Sequence, residues 1–192
     1  MLKKILVPVR GDGVVDTVLG HAAALARRHA AHLVVVHCRA QPEDLMPYSV
    51  PLPAFARDTI LKQAHALAEQ QEKQVREDLH GMAGKLGLAE QGGEAGVATV
   101  EFVEQYERMP DAIKHLGRLA DLIVVAQPDR DRNIGTNSLK AGLFQSGRPV
   151  LMVPRQGPTP DALGARLAVG WNGSLEAARA VALTLDLAIA AE

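Results

Sequence analysis

The segment KILVPV at residues 4–9, followed at once by the turn RGDG at residues 10–13, indicates the fold of this chain. After its first lysine the segment is a continuous apolar run, which suits a strand that is buried on both faces of a parallel sheet. An alanine-rich helix is predicted directly after the turn, at residues 14–29, with Asp12 placed to cap it. A strand, a short turn and a helix in this order predict the start of an α/β domain.

The same alternation of apolar runs and helical patterns continues along the chain. Further strands are predicted at residues 32–38, 97–103, 121–126 and 149–153. Helices are predicted between them at residues 56–86, 111–119 and 137–146. Strands that alternate with helices imply right-handed crossovers and a sheet covered on both faces. We therefore expect an α/β fold with an open, doubly wound, Rossmann-like parallel sheet of five strands, complete near residue 154.

The C-terminal part of the chain resembles its beginning. Residues 155–165 are rich in proline and glycine and predict a linker, and residues 166–171 (RLAVGW) predict another strand before a helix at residues 175–191. The stretch ILVPVRGD at residues 5–12 aligns without a gap with LAVGWNGS at residues 167–174. We interpret residues 166–192 as the first strand and helix of an incomplete second repeat in a fragment of a longer chain. There are two alternatives: another partner covers this unit, or the two aligned stretches are similar by chance.

Composition and charge limit the classes of function. Of 192 residues, 47 % are hydrophobic and 22 % are charged, as in globular proteins. The near balance of 21 Lys and Arg against 22 Asp and Glu disfavours a nucleic-acid partner, because such proteins need a basic face. The single cysteine, Cys38, excludes an intrachain disulfide and a multi-cysteine zinc site, and no metal site is predicted. No apolar run approaches the ~18 residues of a membrane span, so we expect a cytoplasmic protein with no membrane partner.

The candidate site is the edge of the sheet where the strands end. Ligands of open parallel sheets bind at that edge, next to the switch in strand order, and free N–H groups at helix N-termini suit a phosphate. The loops after the first strand and after the strand at residues 121–126 should meet there. The residues proposed for a nucleotide or anion site are Arg10, Gly11, Asp12, Ala126, Gln127, Gly135 and Thr136.

Sequence signatures of common catalytic and nucleotide sites are missing. Residues 11–13 supply only G-x-G, and neither G-x-x-x-x-G-K-[ST] nor G-x-S-x-G occurs. No residue pair combines a nucleophile with a base in a recognisable pattern. We therefore predict no catalytic residues.

Three stretches together, in their order and spacing, resemble the universal stress protein family. They are KKILVPV at residues 3–9, DLIVVA at residues 121–126 and SGRPVLMVP at residues 146–154, and the resemblance covers residues 1–154. The tail RLAVGWNGSLEAARAV at residues 166–181 resembles the start of a second such domain. The resemblance implies a sheet of strand order 3-2-1-4-5, a homodimer that pairs through the last strand, and a role in stress response or signalling.

The family contains members that bind ATP and members that do not, and this sequence departs from the pattern of the binders. Binders resemble one another in G-x2-G-x9-G-[ST] after the fourth strand and in an acidic residue after the first. Here Ala126 and Asp129 hold the first two glycine positions, Gly135-Thr136 arrives four residues too soon for the last pair, and Arg10 replaces the acid. Glycines allow backbone N–H groups to approach phosphate closely. We expect a non-catalytic module with a degenerate nucleotide loop and no cofactor, and ATP with magnesium is disfavoured.

Two other functions stay open. The first is a nucleotide-binding protein with weak ATPase or nucleotide-transfer activity, in which Gly11, Asp12, Gly135 and Thr136 surround a phosphate and a magnesium ion. The second is a protein–protein interaction scaffold, in which the proline-rich loop at residues 42–53 and the long helix after it recruit an unknown protein partner.

Overall fold

The computed structural model describes residues 2–10, 14–39, 54–90, 96–160 and 163–191. Within these ranges the elements, in chain order, are β1 (Lys4–Val9), α1 (Val15–His29), β2 (His32–Cys38), α2 (Ala54–Lys85), β3 (Ala89–Glu90), β4 (Thr99–Gln105), α3 (Met109–Gly117), β5 (Leu122–Ala126), α4 (Thr136–Gln145), β6 (Val150–Val153), α5 (Leu175–Leu183) and α6 (Leu185–Ile189). The predicted cap Asp12 and the proline-rich loop at residues 42–53 lie outside the described residues.

The strands form one parallel sheet in the order β3-β4-β2-β1-β5-β6. The five predicted strands are all present, and their order is the expected 3-2-1-4-5. The prediction of five strands needs one correction, because the two residues Ala89–Glu90 add a sixth strand beside β4. So short a strand carries no periodic pattern, and only its pairing with Thr99 and Val100 reveals it.

The core consists of two layers, one on each face of the sheet. Ile5 and Val7 of β1 pack on the side of α1 and α2, whereas Leu6 packs with Ile113 and Ile123 on the side of α3 and α4. Successive strand residues point to opposite faces, so a run that is apolar at every position supplies both layers. This arrangement confirms the doubly wound fold.

The side chains of α2 that the structure describes as buried lie in its C-terminal half. Leu79 and Ala83 are buried in the core, whereas Ile60, nearer the start of the helix, is 42 % exposed. The helix ends at Lys85, and Gly87 follows with a φ of +67°, a left-handed conformation that favours glycine. None of the described helices is long and apolar enough to cross a membrane.

The prediction of a strand at residues 166–171 is wrong for this chain, because residues 163–191 contain α5 and α6 and no strand. A strand needs a neighbour for its N–H and C=O groups, and none of the described strands pairs with this segment. The helix predicted at residues 175–191 is interrupted at Thr184, whose hydroxyl donates a hydrogen bond of 2.6 Å to the carbonyl of Ala180. The division into a domain, a linker and a second repeat stays a prediction.

Candidate functional site

The ends of β1 and β5 lie side by side at the carboxyl edge of the sheet. Arg10, directly after β1, donates a hydrogen bond of 3.0 Å from Nη2 to the hydroxyl of Ser138 in the first turn of α4. Ala126 and Gly135 line the same cavity as Arg10. The structure therefore brings these three predicted residues together, whereas Gly11 and Asp12 lie outside the described residues.

The loop between β5 and α4 uses several of its backbone donors within the protein. Asp129 and Ile134 donate their N–H groups to each other's carbonyl at 2.9 and 3.0 Å, which closes a small hairpin. The N–H of Gln127 donates to the carbonyl of Val153 at 2.7 Å, and the N–H of Arg132 donates to Oδ1 of Asp129 at 3.0 Å. These four donors are already satisfied, so they contribute no N–H group to a ligand in this conformation.

Gly135 connects the hairpin to α4. It is the N-cap of the helix and has a φ of +89°, which a side chain rarely tolerates. A Cβ placed there would lie 3.4 Å from Cα of Pro128, so the residue also permits a close contact between two parts of the loop. Thr136 is the first residue of α4. Pro128 has no N–H, which removes one more donor from this loop.

A second arginine, Arg155, contacts the loop between β5 and α4 from the side of β6. Nη2 of Arg155 lies 3.7 Å from Oδ2 of Asp129, and its Nη1 donates to the carbonyl of Gln127 at 3.3 Å. The sequence analysis missed Arg155, which follows the last strand. The predicted strand order could have indicated Arg155. The last two strands are neighbours, so the residues that follow them must lie at the same edge of a parallel sheet.

The space enclosed by these residues is small. The cavity has a volume of about 40 Å³ and is lined by Arg10, Ala126, Gly135, Ser138 and Arg155 among others. Two guanidinium groups therefore lie near the N-terminus of α4, and the Asp129 carboxylate compensates one of them. This volume suits a water molecule or a small anion, whereas drug-sized ligands occupy roughly 300–1,000 Å³.

A separate polar cluster lies where β2 and β4 end beneath α2, and the sequence analysis did not identify it. Glu72 of α2 accepts hydrogen bonds from Arg39 at 3.0 Å and from Arg76 at 3.1 Å. His37 and Glu104 are opposite each other in the strand register. Among the described residues, Nδ1 of His37 and Oε1 of Glu104 are buried and have no hydrogen-bond partner.

Burial shifts the titration of both groups in this cluster. It raises the pKa of Glu104. The neighbouring Glu72 carboxylate raises that pKa further, because it accepts a hydrogen bond from the protonated form of Glu104 and its negative charge repels the ionised form. Burial lowers the pKa of His37 below its ordinary value of 6.5, although the Glu72 charge opposes this effect. Both shifts favour the neutral form, so the cluster disfavours additional buried charge.

Cys38, at the end of β2, is not an activated nucleophile. Burial raises the pKa of the Cys38 thiol from 9.0 to about 11, and the thiol contacts Sδ of Met109 at 3.7 Å. A thiol with this pKa is protonated at neutral pH and is a weak nucleophile. Within the described part of the chain, no group of three His, Cys, Asp or Glu side chains is placed to hold a metal ion.

The parallel sheet with helices on both faces, and the loops that meet at its carboxyl edge, place this chain among the doubly wound α/β proteins. The sequence model of the Universal stress protein family matches residues 1–135. The match covers more than half of the chain, and the chain therefore belongs to the universal stress protein family. No curated protein sequence matches the chain significantly.

Solved structures agree with this fold. The hypothetical protein MJ0577, whose structure served to assign its biochemical function, superposes with a TM-score of 0.57 at 16 % identity, over 82 % of this chain and 99 % of that one. The universal stress protein UspA from Lactobacillus plantarum superposes with a TM-score of 0.54 at 14 % identity, over 79 % and 97 % of the two chains. A universal stress protein in complex with cAMP is a more distant match, with a TM-score of 0.45 at 17 % identity, over 81 % and 98 %. At these identities the first two likenesses show the fold alone.

Proposed function

We propose that this protein is a non-catalytic, cytoplasmic module of stress response or signalling whose first domain does not hold a nucleoside triphosphate. Membership of the universal stress protein family supports the role in stress response. The hairpin at residues 129–134 is the observation that supports the absence of a bound nucleoside triphosphate. Its closing N–H groups, on Asp129 and Ile134, donate to each other's carbonyl instead of facing outwards.

Three further features support this proposal. The loop has a proline and no glycine before Gly135, so few of its N–H groups can approach a phosphate. The cavity at this edge has a volume of about 40 Å³, far below that of a drug-sized ligand site. Arg10 replaces the acidic residue that the binders carry after the first strand, and its guanidinium is bonded to Ser138. The residues present therefore do not fit the group that the family's ATP-binding members hold.

Isothermal titration calorimetry of the full chain with Mg-ATP tests the proposal. We expect no saturable heat of binding up to about 1 mM Mg-ATP. This corresponds to a binding free energy weaker than about −4 kcal/mol. A dissociation constant below about 100 μM would overturn the proposal. The thermal unfolding midpoint of the same sample is the control, since a silent titration counts only if the protein is folded.

A small-anion site is the second candidate, and it rests on the two guanidinium groups near the N-terminus of α4. Arg10 and Arg155 line one cavity there, and a helix N-terminus favours negative charge. In the nucleotide-binding alternative, Gly11, Asp12, Gly135 and Thr136 surround a phosphate and a magnesium ion, and the protein has weak ATPase activity. Titration with inorganic phosphate, cAMP and Mg-ATP separates the two candidates: phosphate binding that is lost in Arg155→Ala supports the anion site, and phosphate release from ATP supports the ATPase.

The edge strand β6 supports a homodimer. Among the described strands its one neighbour is β5, and Met152 is 49 % exposed. An unpaired strand edge with an apolar side chain favours pairing with another strand. We expect light scattering at micromolar concentration to give twice the chain mass and Met152→Lys to give the monomer. A wild-type monomer would contradict this part of the proposal.

A scaffold that recruits another protein remains an alternative, and exposed residues near the start of α2 favour it. Residues 58–60 of this helix are exposed, including Ile60 at 42 %. Deletion of residues 42–53 is the test, with the unfolding midpoint as the control. We expect a partner captured by the full chain to be lost in the deletion variant if the scaffold interpretation is correct.

The proposed second repeat at residues 166–192 is supported by the pattern of exposure in its first segment. Leu167, Val169 and Trp171 are 50–63 % exposed and alternate with smaller residues, as the apolar face of a strand would. Fusing a copy of residues 30–154 after residue 191 supplies the remaining strands and helices of such a domain. We expect the fluorescence of Trp171, the single tryptophan, to shift to shorter wavelength in the fusion. An unchanged spectrum would contradict the repeat.

A further inference from the structure

We propose that the cavity beneath the C-terminal half of α2 binds a small, uncharged, flat apolar molecule that carries one hydrogen-bonding group. The cavity lies between α2 and the face formed by β2 and β4, and its volume is about 400 Å³. This volume falls within the range of small-molecule sites and is about ten times that of the cavity beside Arg10. The two cavities have no residue in common, so this site is independent of the function proposed above.

The interior of the cavity is apolar. Leu79 and Ala83 of α2 form one wall, and Val35 of β2 and Val100 of β4 form the opposite one. Ala83 lies four positions after Leu79, so both lie on the helix face that is turned to the sheet. A ligand that fills this space removes apolar surface from water, which favours an apolar body over a polar one.

Each charged side chain on the rim of the cavity already contacts another side chain. The pairs are Arg76–Glu72 at 3.1 Å, His80–Glu90 at 2.6 Å and Glu101–His32 at 3.3 Å. A charged ligand would have to compete with one of these contacts, and its own charge would lose part of its hydration inside the cavity. The rim therefore favours an uncharged ligand.

The rim also provides a donor and a flat surface for a neutral ligand. The guanidinium of Arg76 lies over the ring of Phe102, 5.3 Å from its centroid, and both residues line the cavity. The Arg76 and His80 side chains are 48 % and 53 % exposed, so the cavity opens to solvent. A guanidinium has five N–H donors, and one hydrogen bond to Glu72 leaves others for a hydroxyl or carbonyl oxygen. An aromatic ring with one hydroxyl group matches these features.

Titration of the full chain with 2-naphthol, followed by its fluorescence, tests the proposal. For a ligand of this size we expect saturable binding of one equivalent with a dissociation constant of about 100 μM. We expect 2-naphthoate and 2-naphthylmethylammonium, which carry opposite charges on the same ring, to bind at least tenfold more weakly. Absence of saturation, or equal affinity for either charged analogue, would overturn the proposal.

A pair of variants on α2 and one direct measurement locate the bound probe. Ala83→Leu fills the cavity, so we expect at least a tenfold loss of affinity, whereas the control Glu77→Leu on the exposed side of α2 retains it. In the wild-type protein, nuclear Overhauser effects should connect naphthol protons with methyl groups of Leu79 and Val100. Because this measurement uses the wild-type protein, it tests the site even if the Ala83→Leu variant does not fold. Contacts confined to other methyl groups, or unchanged binding in a folded Ala83→Leu variant, would place the probe elsewhere and refute the site.

Discussion

The guanidinium of Arg10 donates a hydrogen bond of 3.0 Å to the hydroxyl of Ser138, and this contact joins the end of β1 to the first turn of α4. Ser138 is only 6 % exposed, so water has little access to its hydroxyl. The family's ATP-binding members carry an acidic residue at the position of Arg10. In this chain the same position holds a cation that is bonded to a buried side chain.

Removing either partner of this contact should destabilise the domain. We expect Arg10→Ala and Ser138→Ala each to lower the free energy of unfolding by about 1–3 kcal/mol, because hydrogen bonds to charged groups fall in that range. The double variant should lose about 1 kcal/mol less than the sum of the two. Urea unfolding measures all three, with Arg130→Ala at an exposed arginine as a control that should change stability by less than about 0.5 kcal/mol. Additive losses would show that the contact contributes nothing.

Gly20 of α1 should be intolerant of alanine because of a contact with the segment after β6. A Cβ at Gly20 would overlap Oγ1 of Thr159. Alanine in a helix normally stabilises by about 1 kcal/mol relative to glycine, but overpacking costs about 1–3 kcal/mol, so we expect a net loss of stability in Gly20→Ala.

The control for this prediction is a glycine with free space. Gly81 of α2 has no atom within 4 Å of its added Cβ, so Gly81→Ala should raise the free energy of unfolding by about 1 kcal/mol. Removing the hydroxyl in Thr159→Ala should also make alanine at Gly20 acceptable. If Gly20→Ala stabilises the chain as much as Gly81→Ala does, then residue 159 does not pack against α1 in solution.

The raised pKa of Glu104 should make the stability of the protein depend on pH in a definite direction. A carboxyl group with a higher pKa in the folded state than in the unfolded state binds more protons when folded. Its contribution is therefore fully present below the ordinary pKa of about 4.5 and is lost as the pH rises through the higher folded value. Glu104→Gln keeps the shape of the side chain and removes this loss, so its gain in stability over the wild type should grow from pH 4 to pH 7.

The stability of the Glu104→Gln variant must be compared with that of the wild type at each pH, because the titration of His37 changes stability in the opposite direction. Burial lowers the pKa of His37, so the stability contributed by this group increases as the pH rises through 6.5. Urea midpoints of both proteins at several pH values cancel the shared effect of His37. An equal difference between the two proteins at pH 4 and pH 7 would show that Glu104 titrates normally.

The Cys38 thiol should react slowly. A pKa of about 11 in place of 9.0 lowers the thiolate fraction at pH 8 about a hundredfold, and thiolate is the reactive form. We expect its reaction with Ellman's reagent at pH 8 to be at least fiftyfold slower in the native chain than in urea, and to accelerate steadily up to pH 10. A native rate within fivefold of the denatured rate would contradict the shift in pKa.

Local patterns were sufficient for most of the fold. Runs such as residues 4–9 and 32–38 are apolar at every central position, and only strands buried on two faces require that. The same reasoning failed for residues 166–171, which carry a strand pattern but have no neighbouring strand to pair with. It also missed β3, whose two residues form a strand only because they lie beside β4.

What the sequence by itself determined is therefore the alternation of strands and helices, the family, and the absence of glycine from residues 127–134, the loop after β5. Only the tertiary structure decided the partners of the long side chains: Arg10 with Ser138, Arg155 with Asp129, and Glu72 with Arg39. The physical reason is the range of the interactions. Strand and helix formation follow the period of neighbouring residues, whereas these three contacts join residues that are 26 to 128 positions apart, which no local pattern encodes.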